Sequence, residues 1–112
     1  MLDSHAEAMD LDHLSSADRG IIGQALRAAA DGPFFPDWEF HTLFGLARGE
    51  VRAIADSWPK PVRSAETVTT AVNNSFVNLL GYPHRQDAAW PKWLSVDRTQ
   101  LKELFDRLHG QK

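Results

Sequence analysis

Residues 64–81 decide the fold, and they read SAETVTTAVNNSFVNLLG. Ser64 is a suitable helix N-cap and Gly81 a suitable helix stop, with Pro83 two residues beyond. Apolar residues recur between them at three- and four-residue spacing, which predicts an amphipathic helix even through the β-branched run 68–70. The predicted core stripe of this helix consists of Val68, Val72, Phe76, Leu79 and Leu80.

The side of this helix opposite the stripe carries hydroxyls and amides, where a water-exposed helix normally carries Lys and Glu. Helix propensity does not explain this choice, because Asn and Thr are mediocre helix formers. We therefore predict that the helix is covered on both sides. Asn74 and Asn78 would either donate to loop carbonyls, for example those of residues 82–94, or meet a partner protein or a second copy. The internal cover is favoured, because buried amides most often serve local backbone.

Four further helices are predicted on the two sides of this segment. Their approximate ranges are 16–30, 36–45, 48–58 and 97–109, and residues 82–94 are predicted to be a loop. Pro36 is suited to begin the second of them and Gly45 to end it. Because no segment has the alternation of a strand, residues 15–112 are predicted to form one all-α, bundle-like domain of about five helices.

Composition and the N-terminal segment narrow the class of protein. Residues 1–14 carry four acidic side chains and no Lys or Arg, unlike a signal peptide, and are predicted to be a flexible acidic lead-in. No apolar run approaches the ~18 residues that a membrane span needs, so no membrane association is expected. The chain has no cysteine, which excludes disulfides and thiolate chemistry and favours the cytoplasm. Residues 15–112 have a formal net charge of +1, which does not indicate a broad nucleic-acid surface.

Tryptophan occurs in two similar triplets. Residues 58–60 and residues 90–92 both read WPK. Their flanking residues do not align, so no internal repeat is predicted.

The most unusual stretch is 33–45, PFFPDWEFHTLFG, which holds five aromatic side chains and a histidine. The favoured interpretation is a corner of the core, in which two prolines set the chain direction and the rings fill the space between helices. The alternative is a binding rim on which Phe34 and Trp38 are partly exposed. Trp90 and Trp93 present the same choice, between a hydrophobic lid and an exposed anchor pair for a partner.

Three residues could carry chemistry. Asp37 and His41 are four apart on the predicted second helix, so the carboxylate could orient the imidazole, as general bases and metal ligands require. If residues 82–94 fold back, His84 could complete a zinc site with three protein ligands and one open position. A small metal- or ligand-binding enzyme is therefore an alternative hypothesis. An ordinary histidine is favoured and no cofactor is expected, since the chain has neither a nucleophile elbow nor a phosphate-binding glycine loop.

Residues 43–46 are also compatible with the glycine turn of a helix-turn-helix. The following helix would then read DNA with Arg48 and Arg52, which are separated by Glu50. Two arginines make only a thin phosphate-binding surface. Weak DNA binding is therefore a third hypothesis, and nucleic acid is not the expected partner.

Residues 33–45, together with residues 73–75 and 78–84, resemble a group of short uncharacterised bacterial proteins. The resemblance covers most of residues 15–109. It implies a bacterial cytoplasmic origin. It implies no activity, and no catalytic residue can be carried over from it.

The leading hypothesis is a small helical protein-interaction domain of the accessory or immunity type, without catalytic activity. Its partner would be another protein or a second copy of the chain. The expected binding residues are Phe34, Trp38, Asn74, Asn78, Trp90 and Trp93.

Overall fold

The computed structural model describes Leu11 and residues 14–109, and that part of the chain contains helices and no strand. The predicted all-α fold is confirmed. The helices are α1 (Ser16–Asp31), α2 (Asp37–Phe44), α3 (Arg48–Ser57), α4 (Ala65–Gly81), α5 (Trp90–Trp93) and α6 (Arg98–Leu108). The sixth helix beyond the five expected is α5, a single turn inside the segment that was predicted to be a loop. None of the described helices is long and apolar enough to cross a membrane.

The helix ends follow the capping residues in the sequence. The Ser15 hydroxyl accepts the Asp18 amide at 3.1 Å at the start of α1, and the Ser64 hydroxyl accepts the Thr67 amide at 3.2 Å at the start of α4. Gly45 ends α2 with a φ of 68°, a left-handed conformation that glycine adopts without steric cost. The chain changes direction at Gly45, and the last carbonyls of α2 lie beside α4.

Helix α4 is the centre of the domain, because it packs against α1, α2, α3 and α6. Between Thr67 and Leu80 only Val77 is exposed, which confirms that this helix is covered on both sides. The cover is internal: the Asn74 amide donates to the Phe44 carbonyl at 2.8 Å. The carbonyls therefore belong to the end of α2, and the suggestion that residues 82–94 supply them is wrong. The last turn of a helix has carbonyls without intrahelical partners, and α2 presents its own to α4.

The hydroxyl of Ser75 is fully buried and makes no hydrogen bond. A buried polar group without a partner costs about 1–3 kcal/mol. We therefore expect Ser75→Ala to raise the free energy of unfolding by about 1 kcal/mol, as measured by urea denaturation. Ser57→Ala is the matched control, because the Ser57 hydroxyl donates to the Lys60 carbonyl at 2.8 Å and its loss should lower stability. A Ser75→Ala protein less stable than the wild type would contradict this prediction.

The structure reaches part of the predicted N-terminal lead-in. Leu11 and Leu14 are partly buried and pack against the core. These two residues therefore belong to the domain. The other residues of the predicted segment 1–14, and residues 110–112, lie outside the described part of the chain.

The six helices form two units of the same construction, α1–α2–α3 and α4–α5–α6. In each unit a serine caps a long helix, a glycine lies at its end, a short aromatic helix follows, and an arginine begins the third helix. Corresponding residues are 49 or 50 positions apart, as shown by Ser15 and Ser64, Gly32 and Gly81, Asp37 and Asp87, Phe40 and Trp90, and Arg48 and Arg98.

Arg48, the first residue of α3, ties the first unit together. Its guanidinium lies 4.3 Å from the centre of the Phe40 ring and pairs with Asp37 at 2.9 Å. It also donates to the carbonyls of Ala30, at 3.2 Å, and Phe35, at 2.7 Å. One side chain thus joins the end of α1, the following turn and α2.

Arg98, the first residue of α6, makes corresponding contacts with a ring, a carboxylate and a helix-end carbonyl in the second unit. Its guanidinium lies 4.8 Å from the centre of the Trp90 ring and pairs with Asp87 at 2.6 Å. It donates to the Leu79 carbonyl, near the end of α4, at 3.2 Å. The ring, the carboxylate and the arginine are each 50 positions after their counterparts in the first unit.

The two units exchange their short helices, since α2 packs against α4 and α5 packs against α1. The polar contacts are exchanged as well. Asn74 of α4 reaches the end of α2, and Gln24 of α1 accepts the Ser95 amide, just after α5, at 2.9 Å. Each unit therefore contributes a long helix that packs on the short helix of the other. The prediction of no internal repeat is therefore wrong. The repeat is difficult to recognise in the sequence because the WPK triplets do not occupy corresponding positions and few residues that do correspond are identical.

Candidate functional site

The most exposed large apolar side chain of the described residues is that of Trp38, which is 81% exposed. The helix that carries Trp38, α2, is held by contacts on its buried side. The buried rings of Phe40 and Phe44 stack with centroids 4.2 Å apart, and the Tyr82 hydroxyl donates to Glu39 at 2.6 Å. This hydrogen bond raises the pKa of Tyr82 above its usual value. Trp38 therefore projects from a rigid helix rather than from a loop.

Trp38 is not required by the repeated architecture. The residue 50 positions later is Ala88, which is also exposed. Residues that match in the two units serve packing that both units share, whereas Trp38 does not. His41 and Thr42, one turn further along α2, are exposed on the same side. We refer to these three residues as the Trp38 surface.

Two of the aromatic residues expected at a binding surface are instead buried. Phe34 is 1% exposed and Trp90 is 8% exposed, and their ring centroids lie 6.1 Å apart. The Trp90 indole donates to the Val96 carbonyl at 2.8 Å, and Trp93 is partly buried against the core. The alternatives of a binding rim at Phe34 and of an exposed anchor pair at Trp90 and Trp93 are therefore wrong. The interpretation of Phe34 as part of a core corner is confirmed, because its ring is buried against that of Trp90.

The predicted metal or acid–base set is not assembled. The Asp37 carboxylate pairs with Arg48, His41 is exposed and His84 is 8% exposed. Within the described residues, no group of three or more His, Asp or Glu side chains is arranged to hold a metal ion. The Asp37 carboxylate, which was expected to orient His41, pairs instead with Arg48 across the turn between α2 and α3.

His84 lies among aromatic rings. Its ring centroid is 4.9 Å from that of Phe34 and 6.3 Å from that of Trp90. Burial and the charge of Arg98 lower the pKa of His84 below 6.5, and together they outweigh the opposing effects of the Leu79 carbonyl and Asp87. The neutral ring is thus the favoured form in the folded protein.

The two arginines that were expected to contact DNA both have partners within the protein. Arg48 makes the contacts described above. Arg52 pairs with Asp31 at 2.7 Å and donates to the Ala30 carbonyl at 3.1 Å. Hydrogen bonds from Arg52 and Arg27 hold the pKa of the Asp31 carboxyl below its usual value. The expected outward position is wrong for Arg48, whose side chain is 20% exposed, because α3 lies against the C-terminal end of α1, where carbonyls attract cations. Arg52 is exposed, as expected, with 45% of its side chain accessible.

Sequence reasoning missed Arg98 and Asp87, which hold α6 to the loop before α5. A comparison of the chain with itself at a shift of 50 would have found them, because Asp37 and Arg48 recur at that spacing. Comparison of the whole chain with protein-family models, with curated proteins and with solved structures gives no match.

Proposed function

We propose that this chain is a protein-interaction domain without catalytic activity, of the accessory or immunity type, and that it acts in the bacterial cytoplasm. The Trp38 surface is its contact with a protein partner. The observation that carries the proposal is the 81% exposure of Trp38 on a helix that is fixed at both ends.

An exposed indole is a strong candidate for a binding anchor. Tryptophan is enriched among the few interface residues that contribute most of the binding energy. It buries about 150–250 Å² when a partner covers it, and only two torsions must be ordered. Since Phe40 and Phe44 already fix α2, binding would require little rearrangement of the domain.

The polar groups around Trp38 are suited to orienting a partner rather than to supplying most of the binding energy. Asp37 precedes Trp38, and its side chain is 94% exposed although it pairs with Arg48. His41 and Thr42 add exposed polar groups one turn away. Polar groups around a central aromatic side chain are the usual arrangement at protein interfaces.

Trp38→Ala is the test of this proposal. The intact protein is used to recover partners from native cells, the recovered proteins are identified by mass spectrometry, and each is purified and titrated with wild type and variant. We expect at least about 30-fold weaker binding by Trp38→Ala, since truncation of an anchor residue typically costs 2 kcal/mol or more. The melting temperature should not change, because the side chain contributes little to the core.

Val62→Ala is the matched control, since Val62 is an exposed apolar residue, 47% accessible, outside the Trp38 surface. It should bind each partner as the wild type does. Light scattering on both variants identifies the case in which the partner is a second copy. Equal affinity of wild type and Trp38→Ala for every recovered partner, and equal mass in solution, would refute the proposal.

A further inference from the structure

His84 occupies the place in the second unit that Phe34 occupies in the first. The two residues are 50 positions apart, and each follows a proline. Both are buried, and their rings pack edge to face with centroids 4.9 Å apart. The junction between the units therefore holds an aromatic ring from one side and a titratable ring from the other.

The hydrogen bonds of His84 determine where its proton lies. Its Nδ1 atom accepts the backbone N–H of Gln86 at 3.0 Å. A backbone amide keeps its hydrogen near neutral pH, so the Gln86 N–H is the donor of this bond. Nδ1 therefore carries no hydrogen, and the neutral ring is protonated at Nε2. Nε2 lies 3.3 Å from an Arg98 nitrogen, and the Leu79 carbonyl is within hydrogen-bonding reach of the ring.

The turn that this hydrogen bond closes is strained. Arg85, between the donor and the acceptor, has a φ of 58°. That left-handed conformation is unfavourable for a residue with a side chain and persists only where surrounding contacts enforce it. The bond from Gln86 to His84 is the contact that spans the strained residue.

A second proton on His84 would remove this contact. The new hydrogen on Nδ1 would point at the Gln86 N–H, so one hydrogen bond would be replaced by two facing donors. The ring would also become a cation 3.3 Å from the Arg98 guanidinium, and the Asp87 carboxylate already pairs with that arginine. Both effects oppose the buried position of the ring, in which Nδ1 accepts from the Gln86 amide.

The other elements around His84 offer little compensation. Residues 32–36 contribute the Phe34 and Phe35 rings, α4 contributes the Leu79 carbonyl, and α5 contributes the Trp90 ring. The charged side chains that face the ring are Arg98 from α6 and Asp87 from the loop. The pair formed by Tyr82 and Glu39 lies beyond Phe35.

We propose that His84 is an acid-sensitive latch, whose protonation releases residues 82–89 from the junction between the two helical units. The contact that holds the latch is the hydrogen bond from the Gln86 amide to His84, and Arg98 supplies the charge that opposes a second proton on the ring. The proposal does not rest on the proposed function, since no residue of the Trp38 surface contributes to the latch. Residues 82–89 do contact α2, because the Tyr82 hydroxyl donates to Glu39. In the released state the loop no longer packs on Phe34, and Trp90 loses one of its covering rings.

The direction of the pKa shift agrees with this geometry. Because the pKa of His84 is lowered by folding, unfolded chains take up the proton first as the pH falls. The stabilising contribution of the neutral ring is therefore complete above pH 6.5, the ordinary value. It decreases as the pH falls from there towards the lower pKa of the folded protein.

The test is an NMR titration of the intact, ¹⁵N-labelled protein from about pH 7.5 to about pH 5. We expect the Gln86 amide and Trp90 indole signals to shift together with the His84 ring, below pH 6.5. Hydrogen exchange of residues 82–89, corrected for intrinsic rates, should lose at least about tenfold in protection in the acidic form.

His84→Phe and His84→Gln cannot be protonated, so neither should show the transition. His84→Phe introduces the residue that the first unit has at the corresponding position, and His84→Gln retains an acceptor for the Gln86 amide. Two variants are used so that the test still holds if one of them folds poorly. The unfolding constant of the wild type relative to either variant should rise by up to about tenfold per pH unit below the ordinary histidine pKa. His41→Gln is the control and should behave as the wild type. Titration of His84 without a shift of Gln86 and Trp90, or the same transition in both variants, would overturn the proposal.

Discussion

Replacing Arg48 with methionine should lower the free energy of unfolding by about 3 kcal/mol, which is the largest loss that we expect from a single charged residue. Arg48 donates to the carbonyls of Ala29, Ala30 and Phe35 and covers the Phe40 ring. Its side chain is only 20% exposed, so water can replace these hydrogen bonds only in part. Methionine would retain much of the packing of the side-chain stem and remove all donors. Urea denaturation at neutral pH measures the difference.

The repeat supplies the matched control for this prediction. Arg98→Met removes the corresponding side chain of the second unit, which is 44% exposed and pairs with a carboxylate that is 78% exposed. We expect a loss of about 1–2 kcal/mol there, because water reaches the freed groups more easily. Equal losses for the two variants would show that burial does not decide the contribution of these arginines.

Asn78→Leu should lower the free energy of unfolding by about 2–3 kcal/mol. The Asn78 amide is buried and donates to the Leu43 carbonyl at 3.0 Å and to the Asn74 carbonyl at 2.9 Å. Leucine has a similar volume but no donor, so both carbonyls would remain without this partner in a site that water hardly reaches. Thermal and urea unfolding measure the loss.

Two further variants separate hydrogen bonding from packing. Asn78→Asp has the same shape but presents an oxygen to the carbonyls, so it should be less stable than Asn78→Leu. Asn74→Leu removes the bond to the Phe44 carbonyl, at 2.8 Å, and should lower stability by a smaller amount because Asn74 is only partly buried. An Asn78→Leu protein within about 0.5 kcal/mol of the wild type would mean that the amides contribute little to holding α2.

The duplicated architecture separates residues that maintain the fold from residues that are free to do something else. A pair such as Arg48 and Arg98, each of which contacts a ring, a carboxylate and a helix-end carbonyl of its own unit, is explained by the fold. Among the many positions at which the two units differ, two bear on function. Trp38 stands where the second unit has Ala88, and His84 stands where the first unit has Phe34. One departure is exposed and the other is buried at the junction, which suits a contact surface and a conformational device respectively.

The sequence by itself determined five of the six helices of the described residues, α5 being the exception, and indicated that α4 is covered on both sides. Caps, glycine stops and apolar spacing depend on neighbours within a few residues, so they can be recognised without knowledge of the fold. The uncharged far side of α4 indicated correctly that Asn74 and Asn78 are covered. The sequence also placed Trp38 among the expected binding residues, and the structure exposes it.

Only the tertiary structure decided which faces meet. Phe34 and Trp38 are both aromatic and lie four positions apart, yet one is buried at the junction of the units and the other is exposed. Periodicity shows which residues share a side of a helix but does not show what covers that side, because this depends on contacts between residues far apart in the sequence, such as Phe34 and His84. For the same reason the amides of α4 found carbonyls at the end of α2, and Arg48 turned inward to the end of α1 rather than outward to a ligand.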